Sequence, residues 1–324
     1  MNSQTARGQL AVFLRRHRKF FHRRWLRKFY KDAVPHMGAL FDLGVGAHDG
    51  KDWGRACELY AAALGVLPHP WAYNNRGLAR KQQGDLAGAI QDYDRAIELK
   101  PDYASAYNNR GNVRAEQKDL AGAIQDYDRA IELDPKDPEV YYNRGLARKQ
   151  QGDLAGAIQD YDRAIELDPQ DPTAYNNRGG LYLELRAWER ARSDYERRVA
   201  LSPEDALNAY VDLGIIAWRG EKTGEAKSWF ERALSAWDVS LERQRQSPAA
   251  LWENRAIALL CLGSAQEALE ALEQSTDAME VHEVIESFRY DLLAEVSHPP
   301  AGLPEVRKRL EVAAQRRCGP EAEE

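Results

Sequence analysis

Cysteine is scarce in this 324-residue chain: Cys57, Cys261 and Cys318 stand far apart and form no CxxC pair. Such spacing supports neither a disulfide framework nor a zinc site, and it fits a reducing cytosol. Long apolar runs are missing; none approaches the roughly 18–20 residues that span a bilayer. The stretch Leu10–Leu14 is too short for a secretory leader, and the basic cluster follows it instead of preceding it.

Catalytic signatures are absent as well. The chain holds no HExxH, no GxSxG and no GxxxxGK followed by Ser or Thr. The seven histidines (His17, His22, His36, His48, His69, His282, His298) fall mostly in the N-terminal stretch, in turns or near the C-terminus. Acidic pairs such as Asp92 and Asp94 are two apart on a helix, face different directions and read as solvated faces. Cys57 reads as a small core residue. We therefore expect no catalytic residue, no metal, no cofactor and no small-molecule substrate.

What is present is charge, unevenly placed. Apolar content of 44% and charged content of 30% are those of a soluble, folded chain. Residues 1–34 hold ten Lys and Arg against Asp32, a net of +9; the whole chain is −6, so residues 35–324 carry −15. A basic arm precedes an acidic body.

Also present is a repeat. Asn75–Leu99 reads NRGLARKQQGDLAGAIQDYDRAIEL and returns unchanged at Asn143–Leu167. Asn109–Leu133 carries the same text with five changes, so the period is 34 residues. Leu86, Ala89, Ile90, Tyr93, Ala96 and Ile97 follow helical spacing. Trp71–Gln82 predicts a preceding helix; Gly84 breaks the chain, Asp85 caps the second helix and Pro101 stops it. Such a hairpin cannot bury its apolar face alone, whereas stacked copies can, which predicts an all-α solenoid. Gly77, Ala89, Ala96 and their equivalents mark points where a larger side chain would force helices apart. Arg76–Asp92, Arg110–Asp126, Arg144–Asp160 and Arg178–Asp194 recur at one spacing. They read as exposed pairs joining the two helices of one repeat, each contributing roughly 0–1 kcal/mol, with ligand contact as the alternative.

The pattern Tyr73, Gly77, Ala89, Tyr93, Ala96, Pro101 resembles the tetratricopeptide repeat family. It recurs over Tyr107–Pro135 and Tyr141–Pro169, and over Tyr175–Pro203 with Arg198 at the second Ala position. Degenerate copies start at Leu40 and Tyr210, and a weaker seventh uses Trp252, Ala256, Gly263, Ala268 and Leu272. The resemblance implies a right-handed α-solenoid of six to seven helix-turn-helix repeats with capping helices. The expected divisions are a basic arm or capping helix over residues 1–36, the solenoid over 37–275, capping helices over 276–317 and an acidic tail over 318–324. Within the third of these, 280–296 predicts an amphipathic cap, 298–302 a break and 303–315 a last helix.

By the same resemblance, the first helix of each repeat lines a concave groove. Its expected peptide-binding residues are Asn75, Asn109, Asn143 and Asn177, with Asn74, Asn108, Asn176, Asn112, Lys81 and Lys149 beside them. An amide offers both a donor and an acceptor, so a row of Asn can hold the backbone of an extended peptide. The row resembles the asparagine ladder of O-GlcNAc transferases. It can equally bond to a neighbouring helix or to water. Three of the five changes in the middle repeat fall on this face (Leu78 to Asn112, Lys81 to Ala115, Gln82 to Glu116), which suggests a contoured surface. The cations that a carboxylate clamp needs are absent, which disfavours a receptor for chaperone C-termini.

The arm interleaves aromatics with Arg15, Arg16, Arg18, Lys19, Arg23, Arg24, Arg27 and Lys28. It predicts a helix capping the first repeat, or contact between residues 7–31 and an anionic membrane surface or nucleic acid. The sequence thus reads as a cytoplasmic, non-enzymatic scaffold that binds an extended segment of a protein partner. The alternative is an adaptor tethered to a membrane or nucleic acid through its arm.

Overall fold

The computed structural model describes residues 23–243, 248–264, 267–268, 270–271, 299–305 and 308; nothing is stated of the side chains of residues 23–34 and 238–253. Among the described residues there are thirteen α-helices and no strand. They fall into two compact units, divided in sequence between Leu167 and Asp168. The first holds α1 (Arg23–Asp49), α2 (Trp53–Val66), α3 (Pro70–Gln82), α4 (Leu86–Leu99), α5 (Ala104–Glu116), α6 (Leu120–Leu133), α7 (Pro138–Gln151) and α8 (Leu154–Leu167). The second holds α9 (Pro172–Glu184), α10 (Trp188–Leu201), a 3-10 turn (Pro203–Asp205), α11 (Leu207–Arg219), α12 (Thr223–Arg243) and α13 (Pro248–Cys261). Within each unit consecutive helices pack as hairpins, and hairpin stacks on hairpin. This is the all-α solenoid that the period predicts. No described helix is long and apolar enough to cross a membrane.

Local chemistry explains the hairpins. Asp85, Asp119 and Asp153 accept from the backbone N–H of Gly88, Gly122 and Gly156 at 2.9, 3.0 and 2.9 Å, capping α4, α6 and α8. The turn before each second helix contains one residue in the left-handed region: Lys51, Gly84, Lys118, Gly152, Arg186 and Glu221, with φ between 56° and 88°. The turn after α3 closes with the Asp85 N–H on the Arg80 carbonyl at 2.9 Å. The two helices then meet at one glycine. A Cβ on Gly77, Gly111 or Gly145 would lie 2.7, 2.7 or 2.8 Å from the ring of Tyr93, Tyr127 or Tyr161. The recurring spacing of Gly and Tyr within the repeat text is therefore a contact.

The two units are packed differently. In the first, small separate clusters such as Ala123, Tyr127, Ala130, Val140 and Ala147 lie between neighbouring helices. In the second, one continuous core runs from Leu183 to Leu303. Helix α11 is apolar on nearly all sides and is buried accordingly, from Leu207 through Ile215 to Ala217. Leu303 joins that core just after the break at Pro299–Gly302. Arg198, at the motif's second Ala position, donates to the carbonyls of Ser202 and Asp205, both at 2.8 Å, and so holds the 3-10 turn.

At the N-terminal end α1 runs unbroken across the expected arm boundary at residues 36–37, with Pro35 inside it. Arg23, Arg24, Arg27 and Lys28 lie on this helix. Arg15, Arg16, Arg18 and Lys19 lie outside the described residues, as do the expected cap at 280–296 and the tail at 318–324.

Candidate functional site

The asparagine row sits on the first helices, one residue per repeat, each half-buried. Its members differ in what they bond. Asn109 Nδ2 donates to Asn74 Oδ1 of the preceding repeat at 2.9 Å, and Asn143 Nδ2 to Asn108 Oδ1 at 3.1 Å. Neither Asn109 Oδ1 nor Asn143 Oδ1 meets a donor among the described residues. Asn75 is engaged at both ends: its Oδ1 accepts from Asn74 at 3.2 Å, and its Nδ2 lies 3.5 Å from the Tyr60 hydroxyl. Asn177 Nδ2 turns back to the Thr173 carbonyl of its own helix at 2.9 Å.

The flanking positions divide in the same way. Asn74 and Asn108 are buried beneath the row and do not form part of an open face, so the expectation of direct contact fails for them. Asn176 is half-buried. Asn112 accepts from the buried Tyr127 hydroxyl at 2.7 Å. The equivalent residues are Leu78 and Leu146, and the hydroxyls of Tyr93 and Tyr161 are buried without a hydrogen-bond partner. The change from Leu to Asn in the middle repeat thus satisfies a tyrosine beneath the surface. Lys81 lies 3.8 Å from Glu116, so two of the contour positions pair with each other. Lys149 is half-buried.

The Arg–Asp pairs join the two helices of each repeat, but they are not exposed. Asp92, Asp126, Asp160 and Asp194 are all buried, which also corrects the reading of Asp92 as part of a solvated face. Arg110 donates to Asp126 at 2.6 and 3.0 Å, and also to Asp94 of the preceding repeat at 2.5 Å. Arg144 does the same with Asp160 and Asp128. A second guanidinium completes three of these sites: Arg80, Arg114 and Arg148 reach Asp92, Asp126 and Asp160 at 3.0, 2.8 and 2.9 Å. These were missed, although Arg76 and Arg80 are four apart on one helix and so share a face. Desolvation by itself would lower the Arg110 pKa; its bonds to Asp126 and Asp94 outweigh that and the net shift is upward. Each first-helix Arg also lies over the motif tyrosine three residues before it, 5.5 Å from the ring centre for Arg76 on Tyr73 and for Arg110 on Tyr107. Arg110 and Arg144 each bond carboxylates of two repeats, so this network joins neighbouring repeats.

Cys57 lies in α2, half-buried and packed against the cluster of Ala56, Tyr60 and Ala79; its Sγ is 3.3 Å from Gln83 Oε1, and burial raises its pKa. Among the described residues no group of His, Cys, Asp and Glu could hold a metal ion. One further amide stands at the same motif position but is fully buried. Asn254 follows Trp252 as Asn75 follows Tyr73, and its Nδ2 donates to Asn208 Oδ1 at 2.6 Å.

A model of the TPR repeat matches residues 77–118, 111–152 and 146–185, and one of the tetratricopeptide repeat matches 205–280, together more than half of the chain. The chain belongs to the tetratricopeptide repeat family. Tetratricopeptide repeat protein 36 of Mus musculus is 42% identical over 72 residues, 22% of this chain and 39% of that protein. The Homo sapiens protein is 42% identical over 72 residues, 22% of this chain and 38% of its own length. The chain thus spans about two fifths of the length of these curated relatives. Among solved structures, that of pilF from Pseudomonas aeruginosa has a TM-score of 0.57 at 22% identity, covering 65% of this chain and 96% of its own. A tetratricopeptide repeat protein from Parabacteroides merdae has a TM-score of 0.56 at 18% identity, covering 85% and 98%. At these identities the likeness is one of fold, and fold does not carry function with it.

Proposed function

We propose that this tetratricopeptide scaffold is a non-enzymatic interaction protein that binds an extended segment of a protein partner on the first-helix face of its first unit. The observation that supports this reading is the pair Asn109 and Asn143. They are equivalent residues one repeat apart, each anchored by one N–H and each with an amide oxygen that meets no donor among the described residues. An amide held this way still offers an acceptor and a second N–H, the two groups a peptide backbone needs. Asn75 and Asn177 contribute less, because their amides are already bonded within the fold.

The test uses peptides selected from a random display library on the immobilised full chain. Asn109→Ala with Asn143→Ala should weaken binding by about 1–3 kcal/mol, two amides at about 0.5–1.5 kcal/mol each, and leave the helical circular dichroism unchanged. Unchanged affinity in that double variant would place the binding surface elsewhere.

A further inference from the structure

The row lies above a second layer of amides, and that layer has a direction. Asn108 Oδ1 accepts from Asn143 of the next repeat at 3.1 Å, while Asn108 Nδ2 points to the carboxylate of Glu139 at 3.5 Å. A carboxylate only accepts, so it turns the NH2 end of Asn108 towards itself and the oxygen towards Asn143. Asn143 must then present its nitrogen to the preceding repeat. Asn74 serves Asn109 in the same sense at 2.9 Å, and donates in turn to Asn75. Asn74 and Asn108 are only 4% and 6% exposed, so neither is placed to touch a ligand itself.

We infer that Asn74 and Asn108 are positioning residues that fix the orientation of the Asn109 and Asn143 amides, so that the face selects the direction of a bound peptide. The inference rests on the reading of this face as a peptide site. In an extended chain one residue turns its N–H and C=O to the same side, with the N–H nearer the N-terminus. A bidentate amide meets the C=O with its nitrogen and the N–H with its oxygen. Both ladder nitrogens face the preceding repeat, so the peptide runs with its C-terminal end towards the earlier repeats. A peptide lying the other way would set N–H against N–H and oxygen against oxygen. Side-chain pockets alone impose no such rule, because a reversed sequence bound in reverse presents its side chains in the same order.

The experiment takes one library-selected peptide and its reversed sequence, and measures Kd for both on the full-length wild type, on Asn74→Ala/Asn108→Ala and on Glu139→Gln. The wild type should prefer the selected direction by about tenfold, the worth of one to two lost hydrogen bonds. The Asn74→Ala/Asn108→Ala variant should lose most of that ratio, and Glu139→Gln, an exposed change that leaves the fold alone, should lose part of it by letting Asn108 turn over. The ratio is a quantity that a loss of stability by itself does not move, and thermal melting of each variant monitors the fold. If both variants keep the wild-type ratio, the second layer does not position the ladder. If Asn109→Ala/Asn143→Ala leaves binding of either peptide intact, the face itself is not the site and the inference falls with it.

Discussion

At the scale of single residues, the near-identical repeats act as internal controls. Tyr127 is satisfied by Asn112, while Tyr93 carries a buried hydroxyl with no partner. Phe230 occupies the equivalent place against Gly214. Tyr127→Phe should therefore cost about 1 kcal/mol, whereas Tyr93→Phe should be neutral or stabilising; denaturant melts of the two variants check this, and equal costs would contradict it. His69 is a second case. Its Nδ1 accepts the Trp71 N–H at 3.3 Å, capping α3, so the ring must be neutral at that nitrogen. Burial, with Lys100 adding to it, holds its pKa at about 4, below the ordinary 6.5. As pH falls the unfolded chain takes up this proton first. The contribution is complete above pH 6.5 and is lost as pH falls from 6.5 through about 4. His69→Asp, the residue type that caps α7 and α9 through Asp137 and Asp171, should flatten stability against pH across that window. An unchanged acid slope would show that His69 is not its source.

At the scale of elements, the hairpin turn and the glycine contact can be tested separately. Lys118 stands at φ 66° where Gly84 and Gly152 stand in the flanking repeats. The left-handed region crowds a Cβ, so Lys118→Gly should stabilise by about 0.5–1 kcal/mol. A lower melting temperature would mean that the lysine side chain has a role the backbone does not show. Gly145 faces the Tyr161 ring with no room for a Cβ, so Gly145→Leu should cost about 1–3 kcal/mol or more by overpacking. Lys149→Ala, on the same helix but half-buried, should change stability by less than about 0.5 kcal/mol. Equal losses would mean the faces of α7 are wrongly assigned.

At the scale of the whole molecule, the two units use different means of cohesion. The second has a continuous apolar core; the first joins small clusters of Ala and Tyr with guanidinium–carboxylate sites that pass from repeat to repeat. Neighbouring repeats in a solenoid are coupled through their interfaces, and here one guanidinium is the link. Asp94 and Asp126 belong to different repeats yet share Arg110. A double-mutant cycle of Asp94→Asn and Asp126→Asn should therefore give an interaction energy of at least about 0.5 kcal/mol. Strict additivity would show that Arg110 does not couple the two repeats.

By itself the sequence determined the 34-residue period, the hairpin, the Asp85 cap, the break at Gly84 and the Arg76–Asp92 pairing. Apart from the period, which recurring text makes plain, all of these lie within one repeat, where helical spacing and turn chemistry are local and legible. Tertiary structure alone decided which amides of the asparagine row are already spent, that Asn74 and Asn108 lie beneath it, that the paired aspartates are buried, and that Asn112 serves Tyr127. The reason is physical: an amide or carboxylate has the same donors and acceptors wherever it stands, and what it bonds depends on how one helix is set against the next. Asn109 and Asn74, or Asn108 and Glu139, are 35 and 31 residues apart in the chain, and only the stacking of neighbouring repeats brings them within reach of each other.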